Sequence, residues 1–99
     1  MLDKNVPDEE LGKFPTLIKI VETLRSPGGC PWDIEQTHKS LKRHLIEECY
    51  EALEAIDNED PVSLKEELGD ILVQIAFHAD IARELQSFTI SDLLVEVNQ

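Results

Sequence analysis

The sequence predicts an all-α fold, a small bundle of about four helices completed by oligomerisation. Three observations carry that prediction. Apolar residues recur at helical spacing in four successive segments. Glycine and proline gather at the breaks between segments. No segment alternates apolar and polar residues with the period of a strand. The chain has 99 residues, 41% of them hydrophobic, which is material for one core and not for two.

Residues 1–13 are polar and acidic, with Pro7 among them, and read as a flexible arm; residues 14–99 form the domain. From Pro15 onward Leu17, Ile20, Val21 and Leu24 line one face of a first helix. Ser26-Pro27-Gly28-Gly29-Cys30-Pro31 must end it. Trp32 to Gln36 leads into a second helix over about residues 39–56, with Leu41, Leu45, Cys49, Ala52, Leu53 and Ile56 on one side. Asp57-Asn58-Glu59-Asp60-Pro61 is a polar turn. A third helix follows from Pro61 or Val62 to about Gln86. Between Ile71 and Ala82 only Gln74, His78 and Asp80 are polar, so neighbours must surround it, and a chain this small needs a second copy to do so. A fourth helix starts near Thr89, where Thr89 and Asp92 have the spacing of a capping pair, and carries Leu93, Leu94 and Val97.

Charge narrows the partners. Nine Lys+Arg against 21 Asp+Glu give a net charge of −12, which disfavours free nucleic acid and anionic membrane surfaces. No apolar run reaches the ~20 residues of a membrane span, and the first ten residues lack the pattern of a signal peptide. Cys30 and Cys49 make neither a disulfide framework nor a CxxC site, and a reducing cytoplasm is the expected setting.

Most of the acids sit in polar runs and are hydrated. Two pairs differ. Glu48 and Glu51 on the second helix, and Glu67 and Asp70 on the third, are each three apart and project to one side. On the third helix Glu67 falls between the directions of Ile71 and Ile81, and Asp70 between those of Phe77 and Ile81, within an otherwise apolar sector. Ionised carboxylates there need cations. The basic supply nearby is thin: Lys42, Arg43, His44, Lys65 and Arg83. Facing carboxylates short of basic partners suit a hard divalent ion, Mg²⁺ or Mn²⁺ rather than zinc. The competing reading of the same pairs is surface decoration.

Glu47-Glu48-Cys49-Tyr50-Glu51, followed by Glu67-Leu68-Gly69-Asp70, resembles the EExxE…ExxD pattern of the all-α nucleoside triphosphate pyrophosphohydrolases, and in particular their MazG branch. Leu24 to Asp33, with its Gly28-Gly29-Cys30-Pro31-Trp32-Asp33 core, and Gln36-Thr37-His38 resemble that branch too, so the likeness spans about residues 18–97. The resemblance implies Mg²⁺-dependent hydrolysis of nucleoside triphosphates to monophosphate and pyrophosphate. It implies Glu48, Glu51, Glu67 and Asp70 as metal ligands, with Mn²⁺ a possible substitute. It implies Glu47 as a further acid that orients or deprotonates water, or helps a second metal. Members of the branch are oligomeric, so a homodimer or homotetramer is expected. They also continue with a basic stretch that contacts the triphosphate; the sequence stops at Gln99, where that stretch would begin.

Other residues carry two readings each. Trp32 is a wall for a nucleobase or a plug over the bundle end. Arg43 and His44 stand four residues before Glu47 and Glu48, in reach of a phosphate or of a helix ion pair; the resemblance puts His44 at a phosphate contact. Glu35 and His38 have ExxH spacing, but a di-iron site needs a second such motif, which is absent. His78 reads as a hydrogen-bonded core histidine, and Cys49 as inert core beside Leu45 and Leu53. Gly69 inside a helix costs about 1 kcal/mol relative to alanine, and close approach of another helix would account for it. The main alternative function is a non-catalytic helical interaction module that retains the acidic motif.

Overall fold

The computed structural model describes residues 6–99. Among them are five α-helices and no strand. No helix of the described residues is long and apolar enough to cross a membrane. The chain divides into two compact units, Met1–Glu35 and Gln36–Gln99.

In the first unit, a 3-10 turn at Asp8–Glu10 occupies part of the expected arm, whose first five residues lie outside those described. Helix α1 spans Phe14–Leu24, with Pro15 in its first turn and Ile20 and Val21 buried. The Gly-Pro break is built for close backbone contact. Gly28 has φ +86°, and a Cβ on Gly29 would fall on the carbonyl oxygens of Thr23 and Leu24. That proximity lets Cys30 N–H donate to Leu24 O at 2.8 Å. Pro31 then starts a one-turn helix, α2 (Pro31–Ile34), which brings the helix count to five rather than four. The Arg25 guanidinium, 4% exposed, donates to the Asp33 carbonyl at 3.1 Å and fastens the turn.

In the second unit, residues 36–40 form a turn instead of helix. Thr37 N–H donates to Ser40 Oγ at 2.8 Å, Ser40 N–H donates to Thr37 Oγ1 at 3.0 Å, and Ser40 Oγ–H donates to Gln36 Oε1 at 2.8 Å. Local side-chain bonds of this kind compete with helix, and α3 therefore begins at Lys42 and runs to Asp57. It ends with Glu59 in the left-handed region (φ 51°), Glu59 N–H bonding Ile56 O and Asp60 N–H bonding Ala55 O, a Schellman motif. Asp60 caps α4 (Pro61–Glu84) by accepting from Ser63 N–H. Gln86 (φ 58°) closes α4 in the same manner, with Ser87 N–H on Ala82 O. Helix α5 (Ile90–Asn98) opens with a full capping box between Thr89 and Asp92, as its spacing predicts.

Helices α3 and α4 pack along one another, antiparallel across the short turn, and α5 touches α4. The buried strip of α3 is Ala52 and Ala55, with Leu45 and Glu48 half-buried. Cys49, Leu53 and Ile56, expected on its apolar side, are exposed, since they lie roughly 100° around the helix from that strip. On α4 burial is confined to the second half: Ala76, Phe77, Ala79, Asp80, Ile81 and Ala82. No atom lies within 4 Å of a Cβ built on Gly69, so close helix approach within the chain is not why a glycine stands there.

Candidate metal centre

Antiparallel packing of α3 on α4 sets residues about two turns from the end of one helix beside those about two turns from the start of the other. The spacing within each acidic pair then points both inward. Glu48, Glu67 and Asp70 each bring a carboxylate oxygen into a group whose members all lie within 4.8 Å of one another. Glu51 lies outside that triad but beside Glu67, whose pKa it raises.

Among the described residues no ion pair neutralises these acids, and their electrostatics show it. Hydrogen bonding to Glu51, then burial, then the negative charges of Glu51 and Glu48 push the Glu67 carboxyl up to about 7. Glu48 is also raised, chiefly by burial and next by the charge of Asp70. Oε2 of Glu48 and Oε2 of Glu67 are buried and lack any hydrogen-bond partner. A buried acceptor left in that state costs about 1–3 kcal/mol. Two such oxygens converging among like charges fit a cation. The donor set is all carboxylate, which suits hard ions such as Mg²⁺ and Mn²⁺.

The remaining sequence-predicted residues lie elsewhere. Glu47 is one residue around α3 from Glu48 and pairs with Arg43 (Nε to Oε1 3.4 Å), both side chains more than half exposed. His44 is exposed on α3. Trp32, 55% exposed, belongs to the first unit.

A second polar feature continues the line of the triad. His38 Nδ1 and His78 Nδ1 lie 2.7 Å apart, with ring planes 4° from parallel and centroids 5.0 Å apart. The centroid distance matches the N···N distance plus two ring radii, so the rings meet edge to edge rather than face to face. One Nδ1–H donates to the other nitrogen. His78 is thus the hydrogen-bonded histidine the sequence predicts, and burial followed by the nearby His38 lowers its pKa. Its Nε2, and Oε1 of Gln74, are buried without partners. The sequence reading gave Gln74 no role. Its signal was available: a lone amide in an apolar run, one turn beyond Asp70.

Comparison with known proteins agrees with the geometry. Residues 36–99 match the family described as the MazG nucleotide pyrophosphohydrolase domain. The chain is 57% identical over 86 residues to the nucleoside triphosphate pyrophosphohydrolase/pyrophosphatase MazG of Thermotoga maritima, covering 87% of this chain and 34% of that protein. It is 42% identical over 92 residues to a nucleoside triphosphate pyrophosphohydrolase of Mycobacterium tuberculosis, covering 90% of this chain and 28% of that one. A protein of the same name from Escherichia coli is 39% identical over 89 residues, covering 89% and 34%. The chain thus spans about a third or less of the length of these relatives.

Proposed function

Because the chain belongs to the MazG nucleotide pyrophosphohydrolase family, we propose that it hydrolyses nucleoside triphosphates to monophosphate and pyrophosphate with Mg²⁺, or Mn²⁺ in its place. The observation that carries this reading is the Glu48–Glu67–Asp70 triad, with two buried oxygens that nothing among the described residues satisfies. Glu48, Glu67 and Asp70 would hold the ion, with Glu51, beside Glu67, joining them. Mg²⁺ held there supplies Lewis-acid polarisation of a phosphate oxygen and offsets the charge of the triphosphate.

The chain's own groups do the rest. Glu47, steadied by Arg43, accepts a hydrogen bond from the attacking water and orients it. Arg43 and His44 sit on the same stretch of α3 and receive phosphate oxygens. No covalent nucleophile is needed. Self-association as a dimer or tetramer belongs to the same reading: Ile46, Tyr50 and Leu53 on α3 and Leu68 and Leu72 on α4 remain exposed, a surface a second copy would cover.

Incubation with a mixture of ribo- and deoxyribonucleoside triphosphates, with Mg²⁺ and with EDTA, tests the reaction. Monophosphate and pyrophosphate should appear with metal and be absent with EDTA. No product with either Mg²⁺ or Mn²⁺ would leave a non-catalytic interaction module as the better reading.

A further inference from the structure

Among the described residues, the buried side-chain polar atoms without a hydrogen-bond partner are Glu48 Oε2, Glu67 Oε2, Gln74 Oε1 and His78 Nε2. They are not scattered. Gln74 and His78 are seven and eleven residues beyond Glu67, which places all three within about 20° of one line along α4. Unsatisfied buried polar atoms are rare in folded proteins, so a row of them marks where the chain meets something other than itself. The acidic end of the row is accounted for by a metal. The Gln74–His78 end is not.

The chemistry of that end restricts its occupant. Gln74 Oε1 accepts a hydrogen bond, and a fully ionised phosphate, which offers acceptors alone, cannot satisfy that atom. A cation between the histidines is excluded, because His38 Nδ1 and His78 Nδ1 already share a proton edge to edge at 2.7 Å. That bond also fixes the His78 ring and leaves Nε2, buried and without a partner, as its remaining polar atom. An amide oxygen and a fixed imidazole nitrogen, one turn apart, match a neutral edge carrying both donors and acceptors. The helix rise puts Gln74 about 6 Å and His78 about 12 Å beyond Asp70, the reach of a nucleoside from its 5′ oxygen. Gln74 and His78 are each only half-buried as residues, so the row borders solvent.

We propose that Gln74 and His78 form the nucleoside-reading end of the site, taking the neutral hydrogen-bonding edge of base or sugar through Gln74 Oε1 and His78 Nε2. His38 is a positioning residue that holds the His78 ring. The proposal rests on the nucleotide reading of the acidic triad.

Two measurements test it. Gln74→Leu removes the acceptor at nearly constant volume. It should change the ratio of kcat/KM between favoured and disfavoured nucleotides about tenfold, the worth of one hydrogen bond, with Mn²⁺ affinity and helical content unchanged. A changed ratio across the four bases assigns the contact to the base, and a changed ribo-to-deoxy ratio assigns it to the sugar. Unchanged ratios, whether or not overall activity falls, would overturn the proposal. The second measurement needs no turnover: the ¹⁵N resonances of the His78 ring, titrated with nucleoside monophosphates and, separately, with inorganic phosphate and pyrophosphate, in EDTA. A shift with nucleoside monophosphates alone supports the contact; no shift, as when water is the sole occupant, overturns it. Should the wild-type chain release no pyrophosphate, the hydrolytic reading fails on that result, and the titration still decides this one.

Discussion

Glu67 and Asp80 stand on the same helix, α4, yet their surroundings are opposite. Asp80 is 5% exposed, and Arg83, one turn later, brings Nε and Nη2 each to 3.0 Å from its Oδ1. Glu67 is half-buried and faces Glu51 and Glu48, with hydrogen bonding to Glu51, then burial and those charges, raising its pKa to about 7. The chain therefore neutralises a buried carboxylate where the acid serves the fold. Among the described residues the acids in the first half of α4 have no such partner, although Lys65 stands two residues before Glu67, on an exposed face. The contrast separates an acid neutralised by a neighbouring side chain from one that faces other acids, and acid content alone does not make that distinction.

The sharpest way to break the comparison is to exchange the roles. Glu67→Gln or Asp70→Asn should lower Mg²⁺-dependent hydrolysis at least about 100-fold, beyond the loss typical of second-layer partners of a metal site, while circular dichroism shows the helices intact. Full activity in both variants would remove them from the ligand set. Asp80→Ala should do the reverse: it leaves Arg83 without its carboxylate and lowers stability by about 1.5–3 kcal/mol, read by urea unfolding, with Mn²⁺ affinity unchanged.

Acidity separates the two kinds of site next. Without metal, the folded chain holds a proton on Glu67 up to about 7, against 4.5 for an unperturbed glutamate. The folded state then binds more protons than the unfolded one between those values, so this group's contribution to stability declines as pH rises through that window. His78 acts in the opposite sense. Its pKa is lowered from 6.5, the unfolded chain binds the extra proton, and stability is lost as pH falls below about 6.5. In EDTA, Glu67→Gln should gain on wild type in thermal midpoint as pH rises from 4.5 to 7; parallel curves would show that Glu67 is not strained in the metal-free chain.

The smallest expected effect concerns Gly69, which lies between the triad residues Glu67 and Asp70. Open space around its Cβ predicts that Gly69→Ala raises stability by up to about 1 kcal/mol. A stability gain accompanied by loss of self-association would show that a second copy, and not this chain, requires the glycine.

Some boundaries left no mark in the sequence for a physical reason. Helices α3 and α4 both end in Schellman motifs whose left-handed residues are Glu59 and Gln86 rather than glycine, so the usual stop signal is missing. The start of α3 moved to Lys42 because Thr37 and Ser40 bond each other's backbone, a local competition that apolar spacing does not reveal. The α5 capping box, by contrast, was legible because both partners are close in sequence.

The same division holds for the site. The all-helical class and the spacing that sets each acidic pair on one side of its helix followed from the sequence alone, because helical periodicity is a local property of the backbone. Which carboxylates meet was decided by the packing of α3 on α4, which gathers Glu48, Glu67 and Asp70 within 4.8 Å and leaves Glu51 beside them. Tertiary structure alone also showed that Gln74 and His78 extend the row and that His38 holds the His78 ring. Contacts between residues forty apart depend on helix register and tilt, and neither is written into the spacing along one helix.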